Sequence, residues 1–211
     1  MKSLPESGYY NTNKFARIFF ESVKEITGEN GLKTILNYAN LPDLIDNYPP
    51  DNLERAFDFA HFSMINQALE DIYGIRGGRG LALRIGRTTF DDVLKDYGEL
   101  AGVSDLAFRV LPLQTKISLG LQAMAKIFTE KSDQISKVTE NDDEYQYSVE
   151  RCPICWGRTG AEQPVCYYMI GLLQEGLNWV SGGKEFRIIE TECIALGDTA
   201  CKFIIQKEPL S

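Results

Sequence analysis

The sequence predicts an α+β fold in which amino-terminal helices pack on a small antiparallel sheet made of two hairpins with one intervening helix. Three observations predict it. Apolar residues recur every three or four positions as far as Phe128, alternate from Gln134 onward, and return to helical spacing between Pro164 and Val180. No linker, repeat or low-complexity stretch divides the 211 residues, so one domain over 1–211 is expected, helical over about 11–130 and β-α-β over about 133–207.

Asn11-Thr12-Asn13 offers capping side chains, and Phe15, Ile18, Phe19, Ser22, Val23 and Ile26 line one helix face until Gly28. Leu32, Ile35, Leu36 and Ala39 predict a second, short helix before Pro42, and Pro42, Pro49 and Pro50 mark an ordered loop. From Asp51, the positions Leu53, Ala56, Phe57, Ala60, Met64, Ala68 and Ile72 step at helical spacing. Phe59, Phe62, Ile65 and Leu69 widen that stripe, so this helix is expected to be buried. Further helices are expected within Leu81 to Leu100 and from about Leu113 to Phe128.

The alternating runs Gln134 to Thr139 and Tyr145 to Glu150 flank an acidic turn cluster and predict the first hairpin. A helix from Pro164 to Val180 stops at Ser181-Gly182-Gly183. The second hairpin pairs Glu185 to Ala195 with Ala200 to Gln206.

Apolar residues make up 44% of the chain, enough for a core that needs neither disulfide nor metal simply to hold together. Lys plus Arg number 22 against 30 Asp plus Glu, a balance of −8 that repels phosphate backbones and argues against direct nucleic-acid binding. The apolar stretch between Glu162 and Glu175 falls short of the ~18 residues a membrane span requires. The start Met1-Lys2-Ser3-Leu4-Pro5 carries no secretory pattern, so a cytoplasmic location is expected, where cysteines stay reduced or bind metal.

The five cysteines are the chemically informative feature. Cys152-Pro153-Ile154-Cys155 is a CxxC, a spacing shared by redox motifs, metal knuckles and chance. Cys193 and Cys201 flank a Gly-Asp turn, and a three-residue loop would set them opposite one another on one sheet face. A two- or four-residue loop would set them on opposite faces. Glu190 precedes Cys193 by three residues, an offset that regular alternation points the other way, so a shared site needs a bulge or twist. Three thiolates and a carboxylate suit tetrahedral Zn²⁺, whereas the plainer reading has buried cysteines acting as small apolar residues.

The run Glu190-Thr191-Glu192-Cys193 through Asp198-Thr199-Ala200-Cys201-Lys202-Phe203, preceded by Pro164-Val165-Cys166 and Gly171, resembles the carboxy-terminal signature of the 4-vinyl reductase domain family. The likeness is strongest over about 152–207. Sensor domains of aromatic-catabolism regulators resemble this family, and the resemblance implies zinc on Cys166, Glu190, Cys193 and Cys201. The extra CPIC makes Cys152 or Cys155 an alternative fourth ligand. The family also resembles a vesicle-tethering subunit fold, which implies a homodimer and room for an apolar chain.

Phe59, Phe62 and Phe90 on the helices, with Tyr145, Tyr147, Trp156 and Tyr167 near the metal ligands, are the candidate walls of a small-molecule pocket. Gly74-Ile75-Arg76-Gly77-Gly78-Arg79-Gly80 fits neither GxGxxG nor GxxxxGK[ST]. It reads either as an anion-meeting helix start or as a sharp turn whose arginines pair with acidic residues. His61, the only histidine, sits among aromatics and is read as a core residue.

The leading expectation is a non-catalytic, zinc-containing sensor or carrier for a hydrophobic, aromatic or tetrapyrrole molecule. The alternatives are an accessory factor or reductase acting on a tetrapyrrole vinyl group, as the family name implies, and a dimeric scaffold or tethering subunit. No nicotinamide or flavin fingerprint supports an independent reductase.

Overall fold

The computed structural model describes residues 3–97 and 110–210. Strand β1 (Tyr10–Thr12) pairs antiparallel with β2 (Arg55–Asp58), and each leads directly into a long helix, α1 (Asn13–Tyr38) and α2 (Phe59–Tyr97). Helix α3 (Leu113–Lys131) precedes the hairpin of β3 (Ser136–Glu140) and β4 (Glu144–Val149). Helix α4 (Tyr167–Ser181) then leads into β5 (Phe186–Glu192) and β6 (Cys201–Pro209). The four-stranded antiparallel sheet runs in the order β3, β4, β6, β5. The α+β class and both hairpins are as the sequence predicts.

One helix expectation needs correction. The helix expected from Asp51 begins at Phe59, because residues 55–58 form β2 against β1 and Leu53 stays 53% exposed. Non-local ladder bonds outweigh the local helical spacing there. Asp58 then starts α2, accepting from the backbone N–H of Ala60 at 2.7 Å and, with its other oxygen, from Gly8 at 3.2 Å.

The helices expected beyond Gly28 and around Leu81 are present as predicted, each joined to the helical segment before it across one non-helical glycine. Gly28 (φ 76°) breaks α1 and Gly74 (φ 73°) breaks α2, and the helical backbone resumes after each. The end of the second expectation, 98–100, lies outside the described residues. The Gly-Arg segment is therefore a sharp glycine break followed by a helix start. Beyond its kink at Gly74 it is helical.

The core is continuous from the helices to the sheet. Tyr145, Tyr147 and Val149 of β4 and Cys201, Phe203 and Ile205 of β6 face inward, paired as Tyr145 with Ile205, Tyr147 with Phe203 and Val149 with Cys201. On the helical side Phe62 stacks on Phe19 (centroids 4.2 Å apart) and meets Tyr168 edge-on. Helices α2 and α4 pack backbone to backbone: a Cβ on Gly86 would stand 2.1 Å from the Tyr168 carbonyl oxygen, which only glycine avoids.

Candidate metal centre and apolar cleft

Three separate segments deliver the sulfur ligands. Cys152 and Cys155 lie in the irregular stretch after β4, Cys166 is the N-cap of α4, and Cys193 and Cys201 end the connection between β5 and β6. All five are buried free thiols. That connection is longer than a three-residue loop, holding a short 3-10 turn over Ile194–Leu196 closed by left-handed Gly197. Cys193 and Cys201 nevertheless face each other, with sulfurs 3.9 Å apart.

Glu190 reaches the same site through a bulge. Glu190 pairs with Phe203 and Glu192 with Lys202, so two steps on β5 match one on β6. The inserted residue restores Cys193 to the inward face that Glu190 already occupies. Glu190 Oε2 accepts from the Cys166 backbone N–H at 2.8 Å, while its Oε1 is buried with no partner. Burial, and then the adjacent Cys193, pushes the carboxyl up to about 9. A buried acid with one orphaned oxygen among sulfurs suits a bound cation, whose charge supplies what solvent cannot.

The sulfurs pack at 3.6 Å (Cys152 to Cys166), 3.4 Å (Cys155 to Cys201), 3.7 Å (Cys166 to Cys201) and 3.9 Å (Cys166 to Cys193). A tetrahedral zinc with Zn–S near 2.3 Å sets its thiolates ~3.8 Å apart. Cys193 is held low by S–H donation from Cys155, Cys166 and Cys201, whereas burial pushes Cys166 up. Two four-residue groups have ligand atoms all within 4.8 Å of one another: Cys166, Glu190, Cys193 and Cys201, and Cys152, Cys155, Cys166 and Cys201.

The loop carrying Cys152 and Cys155 is anchored to α2 by contacts the sequence did not disclose. Arg158 donates through both terminal nitrogens to Glu70 Oε1 at 3.1 Å, and Arg79 lies 3.9 Å from the same carboxylate. Arg79 also donates to Gln163 at 2.9 Å and covers the Tyr167 ring. Of the Gly-Arg segment, Arg79 thus takes the acid-pairing role.

The candidate pocket aromatics do not gather in one place. Phe59 and Trp156 both lie against Tyr9, Phe62 fills the centre of the core, Tyr145 and Tyr147 face inward from β4, and Tyr167 lies beneath Arg79. Tyr145 donates to Gln114 Oε1 at 2.7 Å. Phe90 alone among them lines the cleft, which runs between α2, α3 and α4 and has a cavity volume of about 70 Å³.

Ile117, Leu121, Met124, Leu172, Leu177 and Val180 line it with Phe90, and among the described residues Trp179 provides its one side-chain N–H. A signal for the cleft was present as Gly120 and Gly176, small residues in apolar helices. Their missing side chains let neighbours pack close: a Cβ on Gly176 would meet Met124 Cε at 2.9 Å and one on Gly120 would meet Val180 Cγ2 at 3.0 Å.

Residues 145–207, which hold all five cysteines and Glu190, match the model of the 4-vinyl reductase domain, the family that the signature resembles. Solved structures of the same fold include an unliganded Fe(II) H-NOX protein from K. algicida (13% identical, TM-score 0.59, covering 95% of this chain and 98% of that one). An H-NOX protein from S. oneidensis in the Fe(II)NO state is 11% identical, with TM-score 0.56 and coverage of 92% and 98%. The phenol-responsive sensory domain of the transcription activator PoxR is 20% identical, with TM-score 0.51 and coverage of 72% and 77%. No curated protein matches the sequence.

Among the described residues no helix is long and apolar enough to cross a membrane.

Proposed function

We propose that this chain is a non-catalytic small-molecule-binding domain of the sensor or carrier type. Its α2/α3/α4 cleft takes an apolar or aromatic guest, and zinc on Cys166, Glu190, Cys193 and Cys201 staples the β5-β6 connection to α4. The observation that carries this reading is that one helix serves both ends: α4 is capped by Cys166 and lines the cleft with Leu172, Gly176, Leu177 and Val180. A staple at its N-terminus sets the pitch of a wall of the cleft. The likeness to a phenol-responsive sensory domain supports phenol as the first guest to try.

Among the described residues the lining offers no acid, base or metal ligand beyond the Met124 thioether, which favours binding over catalysis. Haem, the group named for H-NOX structures, does not fit these residues. His61, the only histidine, packs against Phe57 (centroids 5.8 Å apart) and is absent from the cleft lining, so it is not placed to ligate a haem iron there.

The test is thermal denaturation of the zinc-reconstituted protein with phenol, naphthalene and a medium-chain fatty acid. A guest raises the midpoint by mass action and alters Trp179 fluorescence, a change lost in Trp179→Phe, while Trp156 reports an undisturbed control. No shift with any of the three would overturn the binding reading. A second reading, a homodimer closing the cleft against a copy, is favoured by the exposure of Leu119 (44%) and Trp179 (39%). Sedimentation over a concentration series tests it, and a monomer throughout rejects it.

A further inference from the structure

We infer that the cysteine cluster is a two-metal site, in which Cys166 and Cys201 each bridge two divalent ions. The inference rests on the zinc reading above and extends it to the two sulfurs that reading leaves unused. The two four-donor groups share Cys166 and Cys201, so both can be filled at once only if that pair bridges. Two tetrahedra that share an edge require six donors, and six are present: Cys152 and Cys155 on one side, Glu190 and Cys193 on the other, and the shared pair between them. The shared edge measures 3.7 Å, and each outer cysteine has its sulfur within 3.4–3.9 Å of a bridging one.

Charge favours the same count. Five thiolates and one carboxylate carry −6, and two divalent ions leave −2, equal to the balance of a single zinc in four thiolates. One ion on Cys166, Glu190, Cys193 and Cys201 would instead leave two buried thiols packed against it with no role. Backbone N–H groups already face the set, Ile194 donating to Cys201 Sγ at 3.5 Å and Cys166 to Glu190. The spacing suits ions bound directly by sulfur: cysteines on different irons of an iron–sulfur cluster stand outside its inorganic core, farther apart than contact distance. A soft, tetrahedral, redox-inert divalent ion such as Zn²⁺ meets the donor set. The outer ion on the Cys152 side would tie the loop held by Arg158 and Arg79 to α4 and β6.

The experiment is metal counting by elemental analysis and native mass spectrometry on the full chain, reconstituted with Zn²⁺ under reductant and desalted. Two ions per chain are expected, falling to one in the double variant Cys152→Ser/Cys155→Ser and to one in Glu190→Gln/Cys193→Ser. Cadmium NMR of the wild type, which needs no variant to fold, is expected to give two resonances coupled through the bridging sulfurs. One ion per chain, unchanged by the Cys152→Ser/Cys155→Ser substitutions, overturns the two-metal inference and leaves the zinc staple standing. No ion at all overturns both. Two uncoupled resonances overturn the bridging.

Discussion

Gly171 of α4 rests directly on Leu83 of α2, so close that a Cβ at position 171 would stand 2.0 Å from the Leu83 carbonyl oxygen. Backbone cannot yield there as a side-chain tip could. Gly171→Val is expected to cost about 3 kcal/mol or more through forced separation of the helices, with Gly171→Ala in the same direction. Urea unfolding midpoints check this, and unchanged stability would show that the helices do not dock through this contact.

The cleft depends on small residues facing its space. Ala123→Phe is expected to fill it, weakening an apolar probe such as naphthalene more than tenfold while the far-ultraviolet circular dichroism stays that of the parent. Titration by fluorescence measures it.

Glu70 holds two arginines at once, with side chains of Glu70, Arg158 and Arg79 only 12–15% exposed. Glu70→Ala leaves both cations unpaired in a poorly solvated place and is expected to destabilise by about 3 kcal/mol. The loop of Cys152 and Cys155 should loosen with it. Faster zinc release to a chelator in Glu70→Ala than in the parent is the accompanying readout.

Glu175 is raised above the ordinary carboxylate range by burial, then by Asp91, against the lowering pull of Arg87; Glu185 adds a smaller raising field. Asp91 is itself raised, by burial first. A carboxyl raised on folding binds protons more tightly in the native state, so its contribution is present at low pH and is lost as pH climbs through the raised value. Glu175→Gln is therefore expected to raise stability at neutral pH and to flatten its decline between the ordinary and raised carboxylate values. Unfolding midpoints across that window measure the slope, and an unchanged slope would refute the assignment.

Helix and strand periods make most elements legible: the α1 cap at Thr12, the break at Gly28, both hairpins and α4 with its glycine stop follow from neighbours a few residues apart. Residues 55–58 look helical in sequence because their partner, β1, lies more than forty positions away. The candidate pocket aromatics are scattered for a related reason. Aromatic side chains announce themselves in sequence, but the tight packing of Phe19, Phe62 and Tyr168 leaves no room among them, and the cleft lies instead between α2, α3 and α4.

By itself the sequence determined the succession of elements and the inventory of donors, five thiols and a suitably spaced acid, because periodicity and composition are local properties of a chain. Tertiary structure alone decided that all six donors meet, and that α4 joins them to an apolar cleft. Convergence requires a bulge set by strand pairing, a loop held to α2 by the charges of Glu70, Arg79 and Arg158, and helices docked through glycine. Each is a contact between residues far apart along the chain, whose energy exists only once the backbone has closed.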